Sequence, residues 1–90
     1  MTRRTKLDII NDMLVSMREK GGKIKPTHLM YKANLSHKLL NTYLDDLVSN
    51  EMVTEIKSKE NYTYLIITDK GLEFLTEFQK MKEFQKSFGI

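Results

Sequence analysis

The apolar residues of this chain change their spacing after Asn50, and that change limits the fold more than any other feature. Up to that point they recur every three or four positions, which is the period of amphipathic helices. Three helices are predicted in this half, over residues 5–19, 26–32 and 36–49. Lys20-Gly21-Gly22 ends the first helix, Pro26 opens the second, and Ser36 caps the third. Between the first two, residues 23–25 predict a short strand.

In the second half the pattern alternates between apolar and polar residues. Residues 52–57 follow this pattern and residues 62–67 are rich in β-forming types, so the two segments predict strands joined by a polar turn at 58–61. Thr68 caps a last helix over residues 69–88. Numbered in chain order, the elements are α1-β1-α2-α3-β2-β3-α4. Two short helices joined by a tight turn and followed by a two-stranded flap predict a mainly helical α+β domain of winged helix-turn-helix type.

The apolar stripes of these helices predict the core. Its expected members are Leu7, Ile9, Ile10, Met13, Leu14, Met17, Leu29, Met30, Ala33, Leu35, Leu39, Leu40, Tyr43, Leu44, Leu47, Val48, Leu72, Leu75 and Phe78. The four tyrosines are interpreted as packing residues rather than as a base-stacking platform.

The composition favours one soluble domain over residues 1–90 and excludes several function classes. The chain is 40% hydrophobic and 30% charged, which is typical of a globular protein. Without cysteine it has neither disulfides nor a thiolate zinc site. Its two histidines have no metal-ligand spacing, and no phosphate loop or catalytic constellation is present, so we expect no enzyme activity, metal, cofactor or small-molecule substrate. The short apolar runs and the polar N-terminus predict a cytoplasmic protein without a membrane partner.

The net charge of +3 is unevenly distributed along the chain. Residues 1–38 contain nine Lys or Arg and three acids, whereas residues 39–56 contain four acids and no base. Such polarity favours a polyanionic partner at one end of the domain. The alternative is that folding disperses the basic residues over the surface.

The N-terminal half of α3 is the leading candidate for contact with double-stranded DNA, because a recognition helix presents that half to the major groove. Its outward residues are Ser36, His37, Lys38, Asn41 and Thr42. Asn41 can pair with adenine, Lys38 can reach guanine or phosphate, and the hydroxyls suit phosphates. Asp45 and Asp46 should point away from the DNA backbone. The alternative is an ordinary solvated helix face.

Further basic candidates lie on the hairpin turn, at the two ends of α2 and at the N-terminus. They are Lys57, Lys59, Lys25, Lys32, Arg3, Arg4 and Lys6. A wing touches the minor groove or its phosphates, and the second helix of this motif crosses the DNA backbone. A solvated turn and a frayed terminus are the respective alternatives for the hairpin and the N-terminal arm.

The apolar stripe of the last helix extends past the residues that close the core. Phe74, Met81 and Phe88 are seven residues apart, with Phe78 and Phe84 beside them. Aromatic side chains left in water would form an apolar patch. These five residues therefore predict a homodimer interface, with 79–90 as a dimerisation extension. The alternative is that the tail folds back onto α1.

Two strings of residues resemble a known family. Met30-Tyr31-Lys32-Ala33-Asn34-Leu35-Ser36, followed by Tyr43-Leu44, and the run from Leu65 to Leu75 are similar to archaeal winged helix-turn-helix DNA-binding proteins of the crenarchaeal 10a nucleoid-associated and transcriptional-regulator type. The resemblance covers about Thr5 to Phe78. It implies that α3 enters DNA and that a long last helix pairs with its twin as an antiparallel coiled coil. Here the last helix is shorter, ending near Phe88.

Two functions therefore remain open. The first is a dimeric double-stranded DNA-binding protein that acts as a transcription regulator or small chromatin protein, and the basic first third favours it. The second is a winged-helix protein-protein interaction module without DNA binding. The acidic block in and after α3 keeps this alternative open.

Overall fold

The structure is a computed structural model that describes residues 4–90. Its elements are α1 (Lys6–Glu19), β1 (Lys23–Ile24), α2 (Pro26–Lys32), α3 (His37–Ser49), β2 (Val53–Lys57), β3 (Thr63–Ile67) and α4 (Asp69–Phe88). The predicted order and α+β class are confirmed, and the boundaries agree to within one or two residues. The winged helix-turn-helix arrangement is therefore present, with a last helix of 20 residues.

The three strands form one antiparallel sheet with β3 in the centre, in the order β1-β3-β2. Ile24 pairs with Leu65, and Val53 pairs with Ile67. All four of these side chains are buried. Because side chains alternate across a strand, this register turns one face of the sheet towards the helices and leaves the other face outside.

Local side-chain caps explain where three of the helices begin. The Thr5, Ser36 and Thr68 hydroxyls each accept a hydrogen bond from a backbone N–H of the first turn that follows. At α1 the Asp8 carboxylate also accepts from the Thr5 backbone N–H at 3.0 Å, which completes a capping box. The three predicted caps are confirmed. Their side chains accept bonds from amides that have no partner inside the helix.

The core lies between the inner face of the sheet and the helices. Its fully buried centre contains Met13, Leu14, Met17, Leu29, Leu47, Val53 and Leu65. Four residues predicted to be buried are instead exposed at 38–45% of their surface: Leu7, Leu39, Val48 and Leu72. Two others, Met30 and Tyr43, are only partly buried.

In α3 the reason for these errors is the width of the buried stripe. In α3 the inward line is Leu40, Leu44 and Leu47, which are spaced four and three residues apart and share one face. Leu39 and Val48 each lie one residue outside that line, and a step of one residue rotates a side chain by about 100°. The sequence predicted the centre of the α3 stripe correctly but made the stripe too wide. Leu7 and Leu72, by contrast, lie three residues before the buried Ile10 and Leu75 and are exposed near the start of their helices.

The junction of β2, β3 and α4 is tightly packed. The Thr68 hydroxyl donates to the Glu51 carbonyl at 2.7 Å, and the Thr68 N–H donates to the Met52 carbonyl at 3.1 Å. A Cβ atom at Gly71 would lie 2.5 Å from the same Met52 carbonyl oxygen. The start of α4 is thus held against the backbone that enters the wing. None of the helices within residues 4–90 is long and apolar enough to span a membrane.

Candidate nucleic-acid interface

The turn between α2 and α3 sets the direction of the candidate recognition helix. Asn34 has φ +55°, a left-handed conformation that asparagine tolerates better than most residues. The next residue, Leu35, is buried, and its N–H donates to the Met30 carbonyl at 2.9 Å. Ser36 then caps α3 by accepting from the Leu39 N–H at 3.1 Å. The turn is therefore fixed by backbone conformation, by a core contact and by a cap.

Arg4 fixes the same turn from outside. Its guanidinium donates to the Ala33 and Asn34 carbonyl oxygens, each at 2.9 Å, and to the Asp12 carboxylate at 3.0 Å. The sequence placed Arg4 in a DNA-contacting arm, whereas in the structure its donors are directed at the protein. Arg4 therefore has a positioning role that ties the α2–α3 turn to α1. Arg3, another residue of that arm, lies outside the described residues.

The five predicted residues of α3 come together on an exposed surface at its start. The Asn41 amide nitrogen Nδ2 lies 3.3 Å from the His37 ring nitrogen Nδ1. The Thr42 hydroxyl donates back to the Lys38 carbonyl at 2.9 Å. Lys38 itself is exposed and forms no salt bridge within the described residues. The first turn of α3 contains no acidic residue, so the positive end of its helix dipole is not neutralised there.

The two carboxylates of α3 lie in its C-terminal half. The Asp46 carboxylate pairs with the Lys6 ammonium at 3.1 Å, and both side chains are partly exposed. Asp45 is exposed. Polyanion contact at α3 is consequently favourable only from its N-terminal half, where the cationic and hydrogen-bonding side chains lie.

The remaining basic candidates separate into different surroundings. Lys57 and Lys59 are exposed on the hairpin, and the Lys25 ammonium lies 4.5 Å from the centre of the Tyr62 ring, next to the turn of the same hairpin. Lys32 instead pairs with Glu19 at 3.1 Å. Lys25 thus lies beside the wing, whereas the Lys32 side chain lies against the end of α1.

The tyrosines do not all pack as predicted. Tyr43 and Tyr64 are partly buried, but Tyr31 is 74% exposed and Tyr62 is 50% exposed. Sequence reasoning also missed Lys23, whose ammonium lies 4.3 Å from the centre of the Tyr64 ring. The alternation of β3 was the available signal for the two tyrosines only, because it places Tyr62 and Tyr64 on the face opposite Leu65.

The predicted dimer residues differ in exposure. Phe78 is buried within the single chain, and Phe74 is partly buried and stacked on it, with ring centres 5.8 Å apart. Met81, Phe84 and Phe88 are exposed, the last two at 59% and 69%. The helix does run along the start of α1, where the Lys82 ammonium lies 3.4 Å from an oxygen of Asp8. The packing of α4 against the start of α1 accounts for the burial of Phe78. It does not reach Phe84 and Phe88, which stay exposed.

Comparison with known proteins agrees with this architecture. A family model described as winged helix-turn-helix matches residues 3–86. Among solved structures, Sso10a-2, a DNA-binding protein from Sulfolobus solfataricus, aligns with a TM-score of 0.82 and 21% identity over 94% of this chain and 85% of that one. F93 from STIV, a winged-helix DNA-binding protein, aligns with a TM-score of 0.75 and 17% identity over 93% and 94%.

The transcriptional regulator BldR from Sulfolobus solfataricus has a TM-score of 0.73 at 15% identity, over 90% of this chain and 60% of that one. No curated protein matches the sequence significantly. The similarity to an archaeal 10a-type fold that the sequence predicted is confirmed. From its fold and from the match over residues 3–86, this chain belongs to the winged helix-turn-helix family.

Proposed function

We propose that this protein binds double-stranded DNA as a homodimer and acts as a transcription regulator or a small chromatin protein. The observation that carries the proposal is the exposed start of α3, where Lys38 and Asn41 lie beside a helix N-terminus free of acidic residues. The turn before it is held by Arg4 and Leu35, so the helix is presented in a fixed direction. Preorganised donors of this kind suit phosphates and base edges.

The charges define how the complex should respond to salt. Four lysines on α3 and the wing have no carboxylate partner among the described residues, namely Lys25, Lys38, Lys57 and Lys59. Four neutralised phosphates predict a slope of about −3.6 for the logarithm of the binding constant against that of salt, per protomer. Raising salt from about 50 to about 200 mM should then weaken binding on the order of 100-fold per protomer.

Fluorescence anisotropy of a labelled 20–30 base-pair duplex (about two to three helical turns) at these two salt concentrations tests the proposal. Salt-sensitive binding supports it. Absence of binding at the lower concentration, or binding that salt does not change, contradicts it and favours the protein-interaction module. Selection from a random duplex pool then separates the two roles, because an enriched motif indicates a regulator and no enrichment indicates a chromatin protein.

The proposed dimer is carried by the end of α4, over residues 79–90. Phe84 and Phe88 lie against each other, with ring centres 4.9 Å apart, on a surface that this chain leaves uncovered. Met81 and the exposed Leu7 line one shallow cleft that continues this apolar surface towards α1. Each aromatic ring buries about 150–250 Å² when covered, so a second copy of the same helix would remove a substantial apolar area from water.

Light scattering on the purified chain tests the dimer. We expect a mass twice the 10.6 kDa of the monomer, and a monomer when Phe84 and Phe88 are both replaced by lysine or when the chain ends after Phe78. Tyr31→Lys is the matched control, because Tyr31 is an equally exposed aromatic residue on α2. A monomeric intact chain contradicts the proposal.

A further inference from the structure

The outer face of the sheet carries aromatic and aliphatic side chains that the proposed duplex contact does not use. Leu65 and Ile67 of β3 face the core, so Tyr64 and Ile66 face outward, and Tyr62, which precedes the strand, continues this face. In the observed register Ile56 lies opposite Tyr64, and Thr54 lies opposite Ile66. On the other side of β3, Lys23 lies opposite Ile66. We call this surface, with Lys25 included, the outer sheet face.

Two lysines are held over the aromatic rings of this surface. The Lys23 ammonium lies 4.3 Å from the centre of the Tyr64 ring. The Lys25 ammonium lies between the two rings, 4.5 Å from the centre of Tyr62 and 5.8 Å from that of Tyr64. Both lysines are exposed, and half of the Tyr62 surface is accessible. The cations are therefore placed by the rings and remain available to a ligand.

The charged side chains of the outer sheet face are all positive. The positions that face outward on the three strands carry lysine, tyrosine, isoleucine and threonine, with no carboxylate among them. Glu55 pairs with the buried Leu65, and so points to the other side of the sheet. Glu60 lies in the hairpin turn. An anionic partner is thus complementary to the outer sheet face.

We propose that the outer sheet face binds single-stranded nucleic acid, with a base stacked on Tyr62 and phosphates paired with Lys23 and Lys25. Exposed aromatic rings beside cations are the groups that bind unpaired bases and their backbone. Tyr62 and Tyr64 are two residues apart on one face, which separates them by about 6.6 Å along the strand. A duplex keeps its bases stacked inside, so it cannot use the rings in this way. This site is separate from α3, and Lys25 is the residue that it shares with the proposed duplex contact.

The test is fluorescence anisotropy of a labelled twelve-nucleotide oligothymidine, which forms no duplex, with the full chain. We expect Tyr62→Ala to weaken binding about tenfold and Tyr62→Phe to leave it within about twofold, because phenylalanine keeps the ring. Tyr31→Ala, which removes an exposed tyrosine from α2, should have no effect. Lys25→Gln should also weaken binding and reduce its salt dependence, and it provides a second variant if Tyr62→Ala fails to fold by circular dichroism.

Two variants distinguish single-strand binding on the outer sheet face from duplex binding at α3. Lys38→Glu should weaken duplex binding and leave the oligothymidine affinity unchanged, whereas Tyr62→Ala should do the reverse. Failure of the intact chain to bind oligothymidine overturns the outer-face proposal whatever the duplex result. Equal affinity of the wild type and Tyr62→Ala for oligothymidine overturns it also, since charge alone would then explain binding. Binding to phosphatidylserine vesicles without any oligonucleotide binding would assign the surface to an anionic membrane instead.

Discussion

Replacing Gly71 by alanine should destabilise the protein, although alanine is the better helix former. Gly71 is buried in the first turn of α4, where alanine would contribute about 1 kcal/mol from helix propensity. Its new Cβ would lie 2.5 Å from the Met52 carbonyl oxygen and 2.7 Å from Ile67 Cγ1. Moving that carbonyl disturbs its hydrogen bond from the Thr68 N–H, which contributes about 1 kcal/mol.

Overpacking a close contact costs about 1–3 kcal/mol, so the clash and the disturbed hydrogen bond should exceed the propensity gain. We expect a net loss of about 1–2 kcal/mol, or about 4–16 °C in Tm. Urea denaturation followed by circular dichroism, at one fixed protein concentration, measures it. The control is Thr76→Ala, an exposed position in the same helix, where alanine should be neutral or slightly stabilising. A Gly71→Ala protein as stable as the wild type would refute the packing argument.

Three further outcomes follow from the packing and electrostatics. Leu75→Ala should cost about 2–4 kcal/mol because Leu75 is buried, whereas the exposed Leu72→Ala should cost less than about 1 kcal/mol; equal losses in urea denaturation would contradict the assignment. Arg4→Ala should cost about 1–2 kcal/mol, from its two carbonyl hydrogen bonds rather than from its exposed ion pair; an unchanged urea midpoint would contradict the positioning role. The pKa of Asp8 is held below its ordinary value of 3.8, first by the Thr5 backbone N–H and then by the Thr5 side chain. A depressed folded-state pKa adds stability that is present above pH 3.8 and lost as pH falls through the folded pKa. In thermal melts, lowering the pH should therefore reduce the Tm of the wild type more than that of Asp8→Asn. Equal decreases in Tm would contradict a lowered Asp8 pKa in the folded state.

The elements were predictable because their signals are local. Thr5, Ser36 and Thr68 cap helices through bonds that span three residues, and the switch from helical to alternating spacing marks where the sheet begins. The exposed start of α3 was predictable for the same reason. It is the polar side of a helix whose apolar centre, at Leu40, Leu44 and Leu47, is clear from the spacing.

The role of Arg4 was not predictable, because it depends on contacts distant in sequence. Its carbonyl partners lie 29 and 30 residues away, and a basic residue near a terminus is equally consistent with a DNA-binding arm. The edges of the helical stripes are a second example. Leu72 and Leu75 both lie on the apolar side of α4. Leu75 is buried and Leu72 is exposed because of where α1 and β3 lie in the fold, and the sequence does not give those positions.

The outer sheet face shows a third kind of limit. The alternation of β3 indicates that Tyr62 and Tyr64 share a face, but it does not indicate which strand lies beside them. The pairing of β1 with β3 brings Lys23 and Lys25 to those rings, across some 40 residues of sequence. A pattern of spacing in one segment cannot predict such a neighbour.

The central claim is that the start of α3 contacts duplex DNA, and one charge-reversal experiment tests it most directly. The double variant Lys38→Glu with Asn41→Ala changes two exposed residues, so the domain should keep its circular dichroism spectrum. Lys70→Glu is the control, because it reverses an exposed charge at the start of α4. Anisotropy on one duplex at fixed low salt should show the double variant weakened by at least about tenfold and the control by less than about threefold. An unchanged affinity in a folded double variant would show that α3 is not the DNA-contacting helix.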